Sequence, residues 1–175
     1  LGGIEHMIGS ITRADVPVIA AAEGAVAGVG ASLACACDLI VAAESSFITL
    51  PFGRIGLMPD GGAVATLAAS IGRHRTMQMV LLQERITAAD AVGFGLFAEV
   101  TPAGGALERA QQWAESFSGS PRGAVAQTKR AVNRVALTEL PNSLINEARF
   151  QTELLHSPGH AEGVSAFLER RAPKF

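Results

Sequence analysis

Residues 18–22 form an uncharged, strand-like run that leads into a turn spaced by Gly24, Gly28 and Gly30. Small residues follow from Ala31 to Cys37, and a second apolar run occupies 39–43. This order of strand, tight turn, short helix and strand constrains the fold more than any other feature. Neither run alternates polar with apolar residues, so each is expected to be covered on both faces, as in a parallel sheet. A right-handed crossover is then expected between the two strands. A third short strand is expected at 47–50.

The turn also carries chemistry. A helix start leaves main-chain N–H groups unpaired beside the positive end of the helix dipole. A carbonyl oxygen that must gain negative charge can be held there. Gly28 and Gly30 let the backbone approach a ligand closely. The same small residues would equally serve tight packing of helix on sheet. A dinucleotide site is excluded, because Gly28-Val29-Gly30 is followed by Leu33 where the fingerprint needs glycine.

Downstream, 56–62 is a Pro- and Gly-rich loop, and helices are expected at 63–71 and 74–82. Thr87 to Asp90 has the form of a capping box, and 96–100 is the last expected strand. After Pro102 the chain turns helical, with apolar spacing at Leu107, Ala110, Ala114 and Phe117, then at Val125, Thr128, Val132 and Val135. A further set is Leu144, Ala148, Gln151 and Leu155, and a final helix carries Val164, Phe167 and Leu168. An α/β part (1–102) and a helical part (103–175) are expected. At 175 residues and 49% apolar the chain can bury a real core, and disorder is excluded. A net charge of −2 leaves no basic face for nucleic acid, and no apolar run reaches the ~20 residues of a membrane span.

Cys35 and Cys37 point to different faces of one helix and read as buried hydrophobes, not as a disulfide or metal pair. His6, His74, His156 and His160 show no metal-ligand spacing with a carboxylate or cysteine, so no metal is expected. Reduced cysteines fit a cytoplasmic compartment. The chain opens at Leu1 without methionine or signal peptide, and a further upstream segment is expected. Glu23 is expected at a solvated strand end and Arg54 on the surface. Arg73 and Arg75 form one small basic spot, and Arg170, Arg171 and Lys174 form another.

Taken in order, several stretches resemble the crotonase superfamily, the enoyl-CoA hydratases and isomerases. They are residues 17–21; Gly24, Gly28-Val29-Gly30, Leu33-Ala34 and Cys37-Asp38; Phe47; 56–62; 85–91; and 95–100. Glu162-Gly163 and 167–171 complete the set. The resemblance implies an α/β fold, a spiral of ββα turns with a helical C-terminal region that drives trimer formation, and two trimers often stack. It places the N-terminal part of that fold upstream of Leu1. It also implies an acyl-CoA or enoyl-CoA ligand and no separate cofactor, since coenzyme A belongs to the substrate. Two main-chain N–H groups would grip the thioester carbonyl and stabilise an enolate. One maps to Val29, within a substrate-binding set of Gly28, Val29, Gly30 and Phe52, and the other lies upstream.

Hydratases of this family use two glutamates on water. Those positions fall on Ser32 and Phe52, which carry no carboxylate, so the usual water addition is not expected. Asp60 sits in the loop where some isomerases of the family hold an acidic base. One carboxylate suffices to shuttle a proton between C2 and C4 of the acyl chain. Asp60 could instead only cap the helix after it. Arg170, Arg171 and Lys174 are either contacts to CoA phosphates or a solvated helix end. Isomerase-type chemistry is the favoured expectation. A non-catalytic acyl-CoA-binding protein and a residual hydratase are the competitors.

Overall fold

The computed structural model describes residues 2–175. Helix α1 (Gly2–Arg13) leads into β1 (Ile19–Ala22), β2 (Ala25–Ala27), α2 (Val29–Ala36), β3 (Leu39–Ala43) and β4 (Phe47–Thr49). A 3₁₀ turn (Pro51–Ile55) precedes α3 (Ala63–Leu82), β5 (Ile86–Thr87), α4 (Ala88–Gly93) and β6 (Glu99–Thr101). Four helices complete the chain: α5 (Ala106–Ser118), α6 (Arg122–Ala136), α7 (Leu140–Leu155) and α8 (Pro158–Leu168).

The strands form two small sheets. β1, β3 and β6 are parallel and lie side by side in that order, with Ile19 opposite Leu39 and Val41 opposite Glu99. The second sheet orders β2, β4 and β5; β2 and β4 run parallel, and β5 runs antiparallel to β4. The expected parallel neighbours at 18–22 and 39–43 are therefore present. What the sequence reading lacked was β2. Gly24, at φ 77°, turns the chain out of the first sheet and into the second. Buried Ser46 fixes that bend, accepting from the Gly24 N–H (2.9 Å) and donating to the Ala22 carbonyl (3.1 Å).

Three other boundaries differ for physical reasons. α2 starts at Val29, two residues early, because Gly28 itself supplies the turn. The two helices expected at 63–71 and 74–82 form one element broken at Gly72, whose φ of 76° and ψ of 161° no helix interior allows. β6 is Glu99–Thr101; Leu96 and Phe97 lie in the preceding turn and enter the core from there. In the helical part, Leu107, Val132, Val135, Phe167 and Leu168, apolar residues at helical spacing, are exposed. Half of the expected capping box is present: Thr87 Oγ1 accepts from the Asp90 N–H (3.1 Å), while the Asp90 carboxylate takes the Thr87 hydroxyl proton (2.7 Å) where the box would have it accept from a main-chain N–H.

Ile48, Leu50, Leu67 and Met79 are fully buried at the centre of the main core, with Phe52 packed among them. α5 lies on β1 and β3, and α8 seats on the 3₁₀ turn. Among the described residues, no helix is long and apolar enough to cross a membrane.

Two polar devices tie the helical part down. Lys129, nearly buried in α6, pairs with Asp38 (2.7 Å) and donates to the carbonyls of Ile11 (2.8 Å) and Val16 (3.1 Å). It thereby serves a carbonyl in the last turn of α1, that of Ile11, and one in the segment before β1, that of Val16. Glu23 accepts from the N–H groups of Gly104 (3.2 Å) and Ala106 (3.1 Å), so it holds the start of α5; the sequence reading had left it as a solvated strand end.

Candidate active site

Gly28 sets the geometry of the site. Its φ of 56° and ψ of −130° are open to glycine and strained for other residues. Its N–H donates to the Thr49 carbonyl (3.2 Å), which anchors the turn to β4, and its carbonyl accepts from Ala31 and Ser32. The next two N–H groups, those of Val29 and Gly30, are the first of α2 and have no intrahelical partner. Among the described residues no other group accepts from them. Gly30 is exposed, and a Cβ placed there would meet nothing within 4 Å. Two adjacent donors thus lie unpaired at the positive end of a helix, with open space beside Gly30.

Ser32 lies three residues beyond Val29, on the same side of α2. It is fully buried, and its hydroxyl donates to the main-chain carbonyl of Asp60 at 2.7 Å. That bond brings the Asp60 loop to within one helical turn of the unpaired amides. It also engages the hydroxyl proton, so Ser32 is part of the scaffold. Gly61 follows at φ 67°, and a Cβ there would lie 3.0 Å from the Ser32 Cβ. Loop and helix are in direct contact.

Asp60 is 6% exposed. Its Oδ2 accepts from Gln151 Nε2 of α7 at 3.0 Å, while its Oδ1 is buried without a partner. The alternative reading of Asp60 as the cap of α3 is not what the geometry shows. The residue before α3 is Gly62, with no side-chain cap. The Gly62 N–H is instead taken by Glu147 Oε2 of α7, at 2.7 Å. Glu147 is 3% exposed, and its other oxygen accepts from Ser143 (2.9 Å). Burial pushes the Glu147 carboxyl above the ordinary carboxylate range, against the pull of the Gly62 and Val64 N–H groups and the Ser143 hydroxyl; Asp60 nearby adds to the rise. A cavity of about 10 Å³ lies between α1 and α7, lined by Ile4, Asp60, Gly61, Leu144 and Glu147. That is about the room one water needs.

The other residues singled out from sequence are dispersed. Phe52 is 8% exposed and belongs to the main core. Arg171 is engaged within the chain, with its guanidinium on Glu162 and on Glu169 (2.7 Å). Lys174 offers its main-chain N–H to Glu162 (2.7 Å). Arg170 is exposed, at φ 54°. Cys35 and Cys37 are free thiols, and burial pushes Cys35 up to about 12, which leaves it inert. No cluster of three or more candidate metal ligands occurs among the described residues.

Glu147 and Gln151 are the polar residues the sequence reading passed over. Gln151 had been placed on the apolar face of its helix. A polar side chain recurring at a buried helical position was the available signal.

A two-sheet α/β core, with unpaired amides opening its first crossover helix and helices closing the C-terminal side, defines a crotonase fold. Residues 3–175 match the enoyl-CoA hydratase/isomerase family model, and the chain belongs to that family. A crystal structure of an enoyl-CoA hydratase from Mycobacterium avium subsp. paratuberculosis superposes with a TM-score of 0.95 at 44% identity, over 98% of this chain and 70% of that one. A "Probable enoyl-CoA hydratase" of Rhodobacter capsulatus is 40% identical over 98% of this chain and 66% of its own length. The 1,2-epoxyphenylacetyl-CoA isomerase of Escherichia coli K12 is 32% identical, over 97% of this chain and 64% of that protein. The chain thus spans about two thirds of these curated relatives.

Proposed function

We propose that the protein binds an acyl-CoA thioester and moves a proton on an enoyl-CoA, with the thioester oxygen held at the Val29 N–H and with Asp60 as the base. The observation that carries this reading is the pair of unpaired amides at Val29 and Gly30, with Ser32 one helical turn on bonded to the main chain of Asp60, whose buried carboxylate keeps one oxygen without a partner. An N–H aimed at a carbonyl oxygen stabilises it most when the oxygen becomes an enolate. Asp60 Oδ1 takes a proton from C2 of a 3-enoyl-CoA, and the electron pair delocalises through the thioester onto its oxygen. The same carboxyl returns the proton at C4, the double bond moves to C2–C3, and no electrons leave the substrate.

Hydration is the second reading, since two of the three relatives described above carry hydratase names. Against it, position 32 is a buried serine whose proton is engaged and position 52 a core phenylalanine. Neither can activate water. The assembly reading, a homotrimer or stacked trimers, is supported by the apolar side chains that the helical part leaves exposed, Val135 and Ile145 among them. For the CoA phosphates, Arg170 is the better placed of the basic residues, because Arg171 already holds two carboxylates.

The test is turnover by the full-length protein, wild type and Asp60→Asn, with a 3-enoyl-CoA and separately with a 2-enoyl-CoA. The wild type should isomerise the first and form no hydroxyacyl product from the second. Asp60→Asn should lose at least about 100-fold in kcat while still binding a saturated acyl-CoA. Full activity in Asp60→Asn overturns the base assignment. Hydroxyacyl product formed by the wild type establishes the hydratase reading. Binding without any turnover establishes a non-catalytic acyl-CoA carrier.

A further inference from the structure

Gln151 stands on α7, 91 residues along the chain from Asp60, yet its amide makes three hydrogen bonds to that loop. Its Oε1 accepts from the Met58 N–H (3.2 Å), and its Nε2 donates both to the Met58 carbonyl (3.0 Å) and to Asp60 Oδ2 (3.0 Å). These bonds use both N–H donors of the amide and one of the two lone pairs on its oxygen. The orientation is fixed by chemistry: flipped, Oε1 would face two acceptors and Nε2 would face a donor. Gln151 is 2% exposed, so water offers these groups no ready alternative.

The grip is directional. One carboxylate oxygen is tied to a donor, and the other, Oδ1, is left without any partner in a buried position. Leaving a buried oxygen bare costs stability, and here the bond from Gln151 to Oδ2 opposes a turn that would relieve the cost. From this geometry we infer that Gln151 is a positioning residue, which dedicates Asp60 Oδ1 to the substrate proton by clamping Oδ2 and the Met58 backbone. The inference rests on the reading of Asp60 as the base. It adds that proton return to a second carbon requires the carboxylate to keep one orientation between the two transfers. A carboxylate free to rotate would expose the captured proton to exchange.

The experiment uses the full-length protein and a 3-enoyl-CoA deuterated at C2. Two quantities are read: kcat against KM, and the fraction of label carried to C4 instead of being lost to solvent. Gln151→Met keeps the volume and removes all three hydrogen bonds. It should lower kcat by about 10- to 100-fold, the scale of a misplaced catalytic group, with KM changed less than about threefold, and it should abolish label retention. Gln151→Glu, closer still in shape, should be at least as impaired, because it sets an acceptor against Asp60 Oδ2 and the Met58 carbonyl. A residue that only fills space would leave the retained fraction unchanged. Wild-type turnover and retention in Gln151→Met, with Asp60→Asn inactive, overturns the inference and leaves the base reading standing. An active Asp60→Asn overturns both.

One readout does not depend on the Gln151 variants folding. In the wild type the side-chain amide protons of Gln151 should be protected from solvent exchange and shift when Asp60 is changed to Asn. Rapid exchange, or no shift, overturns the inference.

Discussion

Glu147 gives the sharpest stability prediction. Its carboxylate is 3% exposed and supplies the acceptor for the Gly62 N–H at 2.7 Å, at the start of a long helix that offers no cap of its own. Glu147→Leu removes that acceptor and leaves the Gly62 N–H buried and unpaired, at a cost of about 1–3 kcal/mol. The loss of the bond from half-buried Ser143 adds less, because that hydroxyl can turn to water. Against this, leucine avoids the desolvation that pushes the Glu147 carboxyl upward. The net expectation is a loss of about 2 kcal/mol, which for a chain of this size is roughly 4–8 °C in Tm. Glu147→Gln keeps an oxygen for Gly62 without the charge and should lose less. The pH dependence has a definite sign. A carboxyl raised in the folded state makes the folded chain bind more protons than the unfolded one, so stability falls as pH rises from the ordinary carboxylate range through the raised value. Glu147→Gln should lack that component. Urea denaturation of all three proteins across pH 4.5–7.5 reads both effects. Glu147→Leu within about 0.5 kcal/mol of wild type, or identical pH slopes for wild type and Glu147→Gln, would refute the capping argument.

Further perturbations test other parts of the account. Lys129→Met leaves Asp38 without its cation and should cost about 3–5 kcal/mol by chemical denaturation; adding Asp38→Asn should recover part of it, and equal losses in the single and double variants would contradict the pairing. Gly163→Ala places a Cβ 2.6 Å from the Ile55 backbone, so α8 must lift from the 3₁₀ turn; amide exchange in α8 should quicken, and unchanged protection would refute the close packing. Arg171 holds the Glu162 carboxyl down to about 2, through its hydrogen bonds first and its charge beside them. The tail contact should therefore be complete above the ordinary carboxylate range and lost as pH falls toward 2. NMR signals from Phe175 report it, and Arg171→Ala should release the tail at neutral pH.

How much of this was legible in the sequence depended on the range of the interaction involved. The parallel strands at 18–22 and 39–43 and the Thr87 cap follow from local pattern, and they are present. The turn at Gly28 was legible because only glycine tolerates its dihedrals. β2 was not, because three residues, Ala25 to Ala27, carry too little pattern to separate a strand from a turn. Leu107, Val132 and Val135 recur at helical spacing, yet spacing cannot say whether a stripe faces its own chain or another surface. Glu147 and Gln151 were missed because their partners lie 85 and 91 residues away. A polar residue on a buried helical face marks that something must satisfy it, but not what.

A crystal structure of the full-length protein with an unreactive acyl-CoA analogue measures the central geometry directly. The thioester oxygen should lie about 2.7–3.1 Å from the Val29 nitrogen, with Asp60 Oδ1 about 3–3.5 Å from C2 and within reach of C4. A thioester bound elsewhere, or a Val29 N–H closed off by a protein carbonyl, would contradict the account.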